Sequence, residues 1–215
     1  MPKSLHLDCR ILCTYTAENC VLLIAANIVF DLVTIDGFLA GPNCEIDWFK
    51  TDDEFYEFVR ENSKAYDAII FGRSTYEMMA SYWSTPDADN DDSQLTEVLR
   101  NTPKIVISKT LKKVKEGPNW KNITLWHEIR QEDIIKLKEQ EGKEIAIFGS
   151  GTIVQQLANL DLIDEYRLLV IPVVLGAGKF LFEDFKKMDI RLPASRSVKN
   201  GNVLFCCQPS GLHRQ

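Results

Sequence analysis

The sequence contains no apolar run long enough to cross a membrane. Its longest uninterrupted apolar stretch, residues 20–26, ends at Asn27, whereas a membrane-spanning helix needs about 20 apolar residues. The chain also lacks an excess of basic charge: 25 lysines and arginines stand against 31 aspartates and glutamates, for a formal net charge of −6. Nucleic-acid-binding proteins usually carry a basic field that attracts phosphates. The composition therefore excludes an integral membrane protein and disfavours nucleic acid as a partner.

No pattern typical of a metal site is present. None of the cysteines forms a C-x-x-C pair, and His6, His127 and His213 lie far apart in the chain. A structural zinc site needs four converging nitrogen or sulfur ligands, so we expect no metal. Neighbouring side chains of a strand point to opposite faces, so Cys206 and Cys207 should not bond each other. We expect reduced thiols in a cytoplasmic protein for all the cysteines: Cys9, Cys13, Cys20, Cys44, Cys206 and Cys207.

What the chain does contain is the composition of an ordinary globular domain. Its 215 residues are 45% hydrophobic and 26% charged, which suits one domain with a sizeable core. Residues 1–26 combine several cysteines with a short apolar patch and lack the basic start of a secretory signal. We therefore predict an N-terminal extension over 1–26, a main domain over 27–208 and a polar tail over 209–215.

Within the main domain, strand patterns alternate with helix patterns. Val- and Ile-rich segments predict strands over 28–35, 68–71, 104–108, 123–126, 144–148 and 166–174. Apolar spacing predicts helices over 51–65, 74–82, 93–101, 131–141 and 152–160, with an acidic loop over 87–92. Thr51 and Glu54 have the spacing of a capping box at the first helix. Asn200-Gly201 predicts a hairpin that joins two strands within 195–207. The alternation predicts an α/β fold with a mostly parallel sheet, helices on both faces and a C-terminal antiparallel hairpin.

Two strand-to-helix junctions have residues suited to holding phosphate. Phe71-Gly72-Arg73-Ser74-Thr75 follows one predicted strand, and Phe148-Gly149-Ser150-Gly151-Thr152 follows another. The first turn of a helix offers unpaired N–H groups and partial positive charge, and glycine allows close approach to the backbone. Carboxyl ends of parallel strands share one edge of the sheet, so the pair suits a dinucleotide. The alternative is that the glycines only form tight turns.

The junctions do not follow the usual dinucleotide-binding fingerprint. A third glycine of G-x-G-x-x-G would fall at Val154 for one candidate and at Leu181 for the other. Ser108-Lys109-Thr110, after another strand, could supply charge to the 2′-phosphate that separates NADPH from NADH. The alternative for these residues is a solvated basic loop.

Together these segments resemble the dihydrofolate-reductase-like superfamily, and in particular the family of the RibD C-terminal (riboflavin-biosynthesis reductase) domain. The resemblance spans residues 28–207. Its motifs are Thr34-Ile35-Asp36-Gly37-Phe38-Leu39-Ala40-Gly41-Pro42-Asn43, Glu45-Ile46-Asp47-Trp48-Phe49, Phe71-Gly72-Arg73-Ser74-Thr75-Tyr76-Glu77, Phe148-Gly149-Ser150-Gly151, and Ile163-Asp164-Glu165-Tyr166 leading to Pro172-Val173-Val174-Leu175-Gly176-x-Gly178. Each motif alone is weak, and their shared order and spacing carry the resemblance.

The resemblance implies a three-layer sandwich that binds NADPH and passes hydride to a pyrimidine- or pteridine-type small molecule. The cofactor residues it implies are Gly72, Arg73, Ser74, Thr75, Ser108, Lys109, Gly149, Ser150, Gly151 and Thr152. It also implies a loop over 41–48 that closes over the nicotinamide. Dihydrofolate reductases place a carboxylate five residues beyond a Trp, a count that leads from Trp48 to Asp53. Asp53 and then Asp47 are the predicted catalytic acids, although acidic residues also favour any helix start.

The substrate stays open because the chain departs from the family pattern. It has no His-x-Glu with a Pro-Cys-x-x-Cys partner, the signature of the zinc deaminase half of bifunctional riboflavin enzymes. Cys44 stands where the loop motif more often has glycine. Three functions are expected in turn: 5-amino-6-(5-phosphoribosylamino)uracil reductase, dihydrofolate reductase, and a non-catalytic NADP(H)-binding protein. Relatives often pair, so we also expect a homodimer, with the apolar strand at 168–175 as a candidate interface.

Overall fold

The computed structural model describes residues 25–49, 51–140, 142, 144–198 and 200–210. Within them the strands are β1 (Ala26–Thr34), β2 (Phe38–Ala40), β3 (Tyr66–Gly72), β4 (Lys104–Ile107), β5 (Ile123–Trp126), β6 (Glu144–Ile147), β7 (Glu165–Ile171), β8 (Lys179–Phe180), β9 (Ile190–Ser197) and β10 (Val203–Pro209). The helices are α1 (Asp53–Ser63), α2 (Arg73–Trp83), α3 (Pro86–Asn101), α4 (Gln131–Lys138) and α5 (Gly151–Asn159).

Eight of these strands form one mixed sheet in the order β5-β4-β3-β6-β1-β7-β10-β9. Every neighbouring pair from β5 to β7 is parallel, and β10 is antiparallel to both β7 and β9. The predicted mostly parallel α/β sheet with a C-terminal antiparallel hairpin is therefore confirmed. β2 and β8, which the sequence pattern did not predict, form a separate two-stranded ribbon.

The core lies on both faces of the sheet, because successive side chains of a strand point to opposite faces. One face packs strand residues such as Val29, Ile70 and Ile147 against α4 and α5. The other face packs Ile69, Phe71 and Ala146 against α1, α2 and α3. Cys206 and Cys207 lie in different core clusters on opposite faces, as expected. Cys9, Cys13 and Cys20 lie outside the described residues.

Two local predictions are wrong. Helix α1 is capped by Asp52, whose Oδ1 accepts the Phe55 N–H at 2.8 Å, and not by Thr51. The acidic segment 87–92 is helical and belongs to α3, where Pro86 begins the helix and Asp87 and Asp89 suit the positive end of its dipole. The helix kinks at Asp92, which has non-helical dihedral angles. Its side chain accepts the Leu95 N–H at 2.9 Å and thereby caps the second half.

The first residues that the structure describes already belong to the folded core. Ala25 is buried in the core and Ala26 begins β1, where it pairs with Glu144 of β6. Residues 1–24 and 211–215 lie outside the described part of the chain. No helix in the described part is long and apolar enough to cross a bilayer.

The apolar strand expected at a homodimer interface lies inside the sheet. β7 is flanked by β1 and β10, and Leu169 and Ile171 are buried within one chain. The edge strands are β5 and β9, and β9 exposes Ile190 and Leu192.

Candidate active site

A gap opens in the sheet where its short strand β6 ends. The last register pair between β6 and β1 joins Ile147 to Val29, whereas β1 continues to Thr34. Beyond β6 the chain stays bonded to β3, since the Gly72 N–H donates to the Gly149 carbonyl at 2.9 Å. A cavity of about 500 Å³ lies beside this point. Ligands of open α/β sheets bind in such crevices at the carboxyl ends of strands.

The cavity has an apolar wall and a smaller set of polar groups. Its apolar lining includes Leu32, Leu39, Ile46, Trp48, Phe49, Met78, Phe148 and Phe180. Its polar lining includes Asp31, Ser74, Thr75, Ser150, Thr152, Gln155, Lys179 and Glu183. An apolar pocket with a few polar groups is typical of a small-molecule site.

Two helices start at this cavity without a side-chain cap. The residues before α2 and α5, Gly72 and Ser150, have extended backbones and make no side-chain capping hydrogen bond. The positive end of each helix dipole is therefore left for another acceptor. From the first turns of these helices, Ser74, Thr75 and Thr152 contribute to the lining.

Close backbone packing explains the glycines at 72 and 151: the first lies against the other junction and the second against β8. A Cβ atom on Gly72 would lie 2.5 Å from Ser150 Oγ and 3.0 Å from the Ser150 nitrogen. A Cβ atom on Gly151 would lie 2.6 Å from the Phe180 carbonyl oxygen of β8. Both contacts are too close for any side chain, so these glycines permit close approach of backbones as well as a turn.

The residues predicted for the 2′-phosphate, Ser108 to Thr110, meet Arg73 at the ends of β3 and β4. The Arg73 guanidinium donates to Thr110 Oγ1 at 3.2 Å and to Glu77 at 2.9 Å. Ser108 Oγ accepts the Leu111 N–H at 3.1 Å, and Lys109 is exposed. The sequence pattern missed His127, whose Nδ1 lies 3.1 Å from the Ser108 carbonyl oxygen. None of these residues lines the cavity. Together they form a small cluster of polar side chains at the ends of neighbouring strands.

The predicted acids are not among the residues that line this cavity, and a different carboxyl is. Asp53, in the first turn of α1, and Asp47 are both exposed and do not contribute to the lining. Asp31 of β1 lines the cavity and is only 9% exposed. Its buried Oδ2 has no hydrogen-bond partner in the described part of the chain, and burial raises the pKa of this carboxyl well above its usual value. The sequence signal that could have identified Asp31 is a charged residue in the middle of an apolar strand.

Asp36 has a structural role at the turn after β1. Its carboxylate accepts the Thr34 hydroxyl at 2.6 Å and the Gly176 N–H at 2.8 Å. The bond from Thr34, aided by bonds from the Gly176 and Leu175 N–H groups, lowers the pKa of Asp36. This side chain joins the turn after β1 to the segment after β7.

The loop expected to cover the nicotinamide lies along one wall of the cavity. Cys44, Ile46 and Trp48 of this loop line it, as does Phe49, which follows the loop. Phe49 also packs edge-on against Phe55 of α1, with ring centroids 4.8 Å apart. No group of three or more His, Cys, Asp or Glu residues in the described ranges is placed to hold a metal ion.

Comparison with known proteins gives a family match and several similar proteins. The family model described as RibD C-terminal domain matches residues 27–204. The uncharacterised protein YyaP of Bacillus subtilis (strain 168) is 31% identical over 180 residues, which cover 82% of this chain and 91% of YyaP.

Among solved structures, a Shewanella sp. PV-4 protein assigned to riboflavin biosynthesis is similar, with a TM-score of 0.66 and 24% identity, over 86% of this chain and 98% of its own. Dihydrofolate reductase of Enterococcus faecalis, in complex with NADP(H) and RAB-propyl, has a TM-score of 0.60 and 14% identity, over 88% of this chain and 99% of its own.

Proposed function

The chain belongs to the RibD C-terminal domain family, and from that membership we propose that it is an NADPH-dependent reductase. Its substrate is a pyrimidine- or pteridine-type heterocycle, of the class of 5-amino-6-(5-phosphoribosylamino)uracil. The family supports a reductase of this kind, and the arrangement of the cavity supports the cofactor.

One observation carries the proposal: two uncapped helix starts, α2 and α5, converge on one largely apolar cavity. Each offers N–H groups and a positive dipole end to a phosphate. The close contact of Gly72 with Ser150 brings the two turns together, and the contact of Gly151 with the Phe180 carbonyl brings the start of α5 against β8. The alternative of simple tight turns does not explain why both helix starts open on the same cavity.

The group at the ends of β3 and β4 supports NADPH over NADH. Arg73 and Lys109 supply positive charge, and the Ser108 and Thr110 hydroxyls stand beside them. A forked guanidinium suits the oxygens of a phosphate. We assign these residues to the adenosine 2′-phosphate.

When bound, the reduced nicotinamide supplies the hydride. The chain's own residues hold the dinucleotide at the two helix starts, and the wall formed by Ile46, Trp48 and Phe49 excludes water from the reacting centre. Hydride addition to a C=N or C=O bond leaves a nitrogen or oxygen that needs a proton. Asp53 and Asp47 stay proposals for its source, although both are exposed and outside the cavity lining.

Titration with NADPH, and separately with NADH, tests the proposal. Trp48 lines the cavity, so tryptophan fluorescence should change on binding, with a micromolar dissociation constant for NADPH and weaker binding of NADH. In Trp48→Phe the fluorescence change should shrink while calorimetric binding remains, which would place the ligand in this cavity. If neither dinucleotide binds, the reductase proposal and its cofactor residues are wrong.

Oxidation of bound NADPH then separates the candidate substrates. Turnover of the phosphoribosylamino-uracil compound without turnover of dihydrofolate would identify the riboflavin-type activity. The reverse, with inhibition by a folate antagonist, would identify dihydrofolate reductase activity. Tight NADPH binding with no oxidation by either compound would instead identify a non-catalytic NADP(H)-binding protein.

A further inference from the structure

Asp31 is buried at the gap in the sheet without a partner for one of its oxygens. It lies two residues beyond Val29, the last β1 residue paired with β6, and pairs with Leu168 of β7 on its other side. Its Oδ1 lies 3.4 Å from the position that a Cβ atom would take on Gly149, and Thr75 Oγ1 lies 3.4 Å from the same point. The carboxyl therefore lies beside both junctions.

No cation compensates this carboxyl in the described part of the chain. Gly149 and Thr75, which lie beside it, are uncharged, and no ion pair in the described ranges involves Asp31. The other charged side chains of the cavity lining are Lys179 and Glu183, and both are exposed. Burial without a counter-charge disfavours the ionised form, in agreement with the raised pKa of this group.

A neutral carboxyl here changes what the cavity can bind. It keeps an O–H donor that is available to a ligand, whereas a carboxylate would only accept hydrogen bonds. It also adds no negative charge beside two helix starts that attract anions, since like charges a few ångströms apart repel strongly in a low-dielectric site.

We propose that Asp31 is a ligand-binding residue that acts as a neutral hydrogen-bond donor, so that the cavity takes up a dinucleotide with this carboxyl protonated. The ligand group it recognises is a carbonyl-type acceptor, such as a carboxamide or a heterocyclic ring carbonyl. This inference rests on the proposed function, because it takes the dinucleotide as the ligand.

Three variants separate charge from hydrogen bonding. Asp31→Asn keeps the shape, a donor and neutrality at every pH. Asp31→Leu keeps approximate size and neutrality but removes the donor. Asp189→Asn makes the same carboxyl-to-amide change at a residue whose side chain is 82% exposed and whose ion pair with Lys187 is 3.9 Å long.

Calorimetric titration with NADP⁺ and NAD⁺ between about pH 5 and about pH 9 is the test. For the wild type and Asp189→Asn, affinity should fall by up to about tenfold per pH unit once the pH exceeds the pKa of Asp31. Asp31→Asn should lack this fall. Asp31→Leu should lack it too and bind about 3–10-fold more weakly than Asp31→Asn, the value of one neutral hydrogen bond.

Comparing the two dinucleotides, and comparing each variant with the wild type, separates the effect of Asp31 on the pH dependence from that of other titrating groups. NAD⁺ has no 2′-phosphate, which titrates near pH 6, and His127 is present in every variant. If the wild type and Asp31→Asn show the same pH dependence, the inference is wrong and the proposed function stands. If neither protein binds a dinucleotide at any pH, the proposed function is wrong and this inference with it.

Discussion

Arg73 donates a hydrogen bond from Nη1 to Thr110 Oγ1 at 3.2 Å, although the two residues are 37 positions apart in the chain. The contact exists because β3 and β4 are parallel neighbours whose carboxyl ends lie side by side. It brings the guanidinium of one predicted motif to the hydroxyls of another, and so joins two sequence motifs into one candidate phosphate-binding site.

Arg73→Gln should lower the affinity for NADPH and leave that for NADH nearly unchanged. Hydrogen bonds to charged groups contribute about 1.5–3 kcal/mol, which corresponds to an affinity loss of about 10–100-fold. Fluorescence titration of both cofactors measures the ratio. Arg130→Gln, which removes an exposed arginine paired with Asp133, is the matched control. Equal losses for both cofactors would show that Arg73 does not recognise the 2′-phosphate.

Gly151→Ala should destabilise the fold by about 1–3 kcal/mol, because the new methyl group overlaps the Phe180 carbonyl oxygen at 2.6 Å and forces α5 and β8 apart. It should also weaken dinucleotide binding, since the start of α5 would shift. Chemical denaturation and NADPH titration measure the two effects. Gly117→Ala is the control, because a Cβ there meets nothing within 4 Å. Similar stability of both variants would contradict the close packing of the two elements.

The pH dependence of stability should reveal the protonation of Asp31 without any ligand. Below the unfolded pKa of about 3.9, the carboxyl is protonated in both states and has no unfavourable effect. Between that pH and the raised folded pKa, the carboxyl ionises in the unfolded chain and stays protonated in the folded protein. The free energy of unfolding therefore falls as the pH rises through this range. The loss has a slope of up to about 1.4 kcal/mol per pH unit.

Asp31→Asn removes that dependence, so its stability relative to the wild type should increase with pH. Urea denaturation of both proteins across the range measures the difference, and Asp189→Asn again serves as the surface control. A constant difference between wild type and Asp31→Asn would mean that Asp31 ionises normally in the folded protein.

Arg167→Leu should be strongly destabilising, by about 3–5 kcal/mol. Arg167 is 3% exposed and makes two hydrogen bonds to Glu144, at 2.8 and 2.9 Å, and one to Glu165 at 2.6 Å. These carboxylates raise the pKa of Arg167 against the effect of burial. Its removal leaves two buried carboxylates uncompensated. The triple variant Arg167→Leu, Glu144→Gln, Glu165→Gln should recover much of the loss in denaturation experiments, and failure to do so would point to packing as the cause.

Patterns confined to a few consecutive residues were predicted well. The strand-to-helix junctions at Gly72 and Gly149 were visible because glycine, serine and threonine directly follow short apolar strands. The hairpin at Asn200-Gly201 was visible for a similar reason, since this turn type needs residues that tolerate positive φ; Gly201 has φ +91°. The capping of α1 was predicted one residue too early because Thr51 and Asp52 are both good caps, and the contacts of each side chain decide between them.

By itself, then, the sequence determined the order of the helices and of the strands of the main sheet, the mixed sheet, and the two turns that open on the cavity, because each depends on local backbone preferences and apolar periodicity. Only the tertiary structure decided where β6 ends relative to β1, and hence which side chains lie in the gap. That register placed Asp31 beside Gly149 and Thr75. Tertiary packing also left Asp47 and Asp53 exposed. Burial and its effect on a carboxyl pKa depend on elements far apart in the chain, so no local pattern contains them.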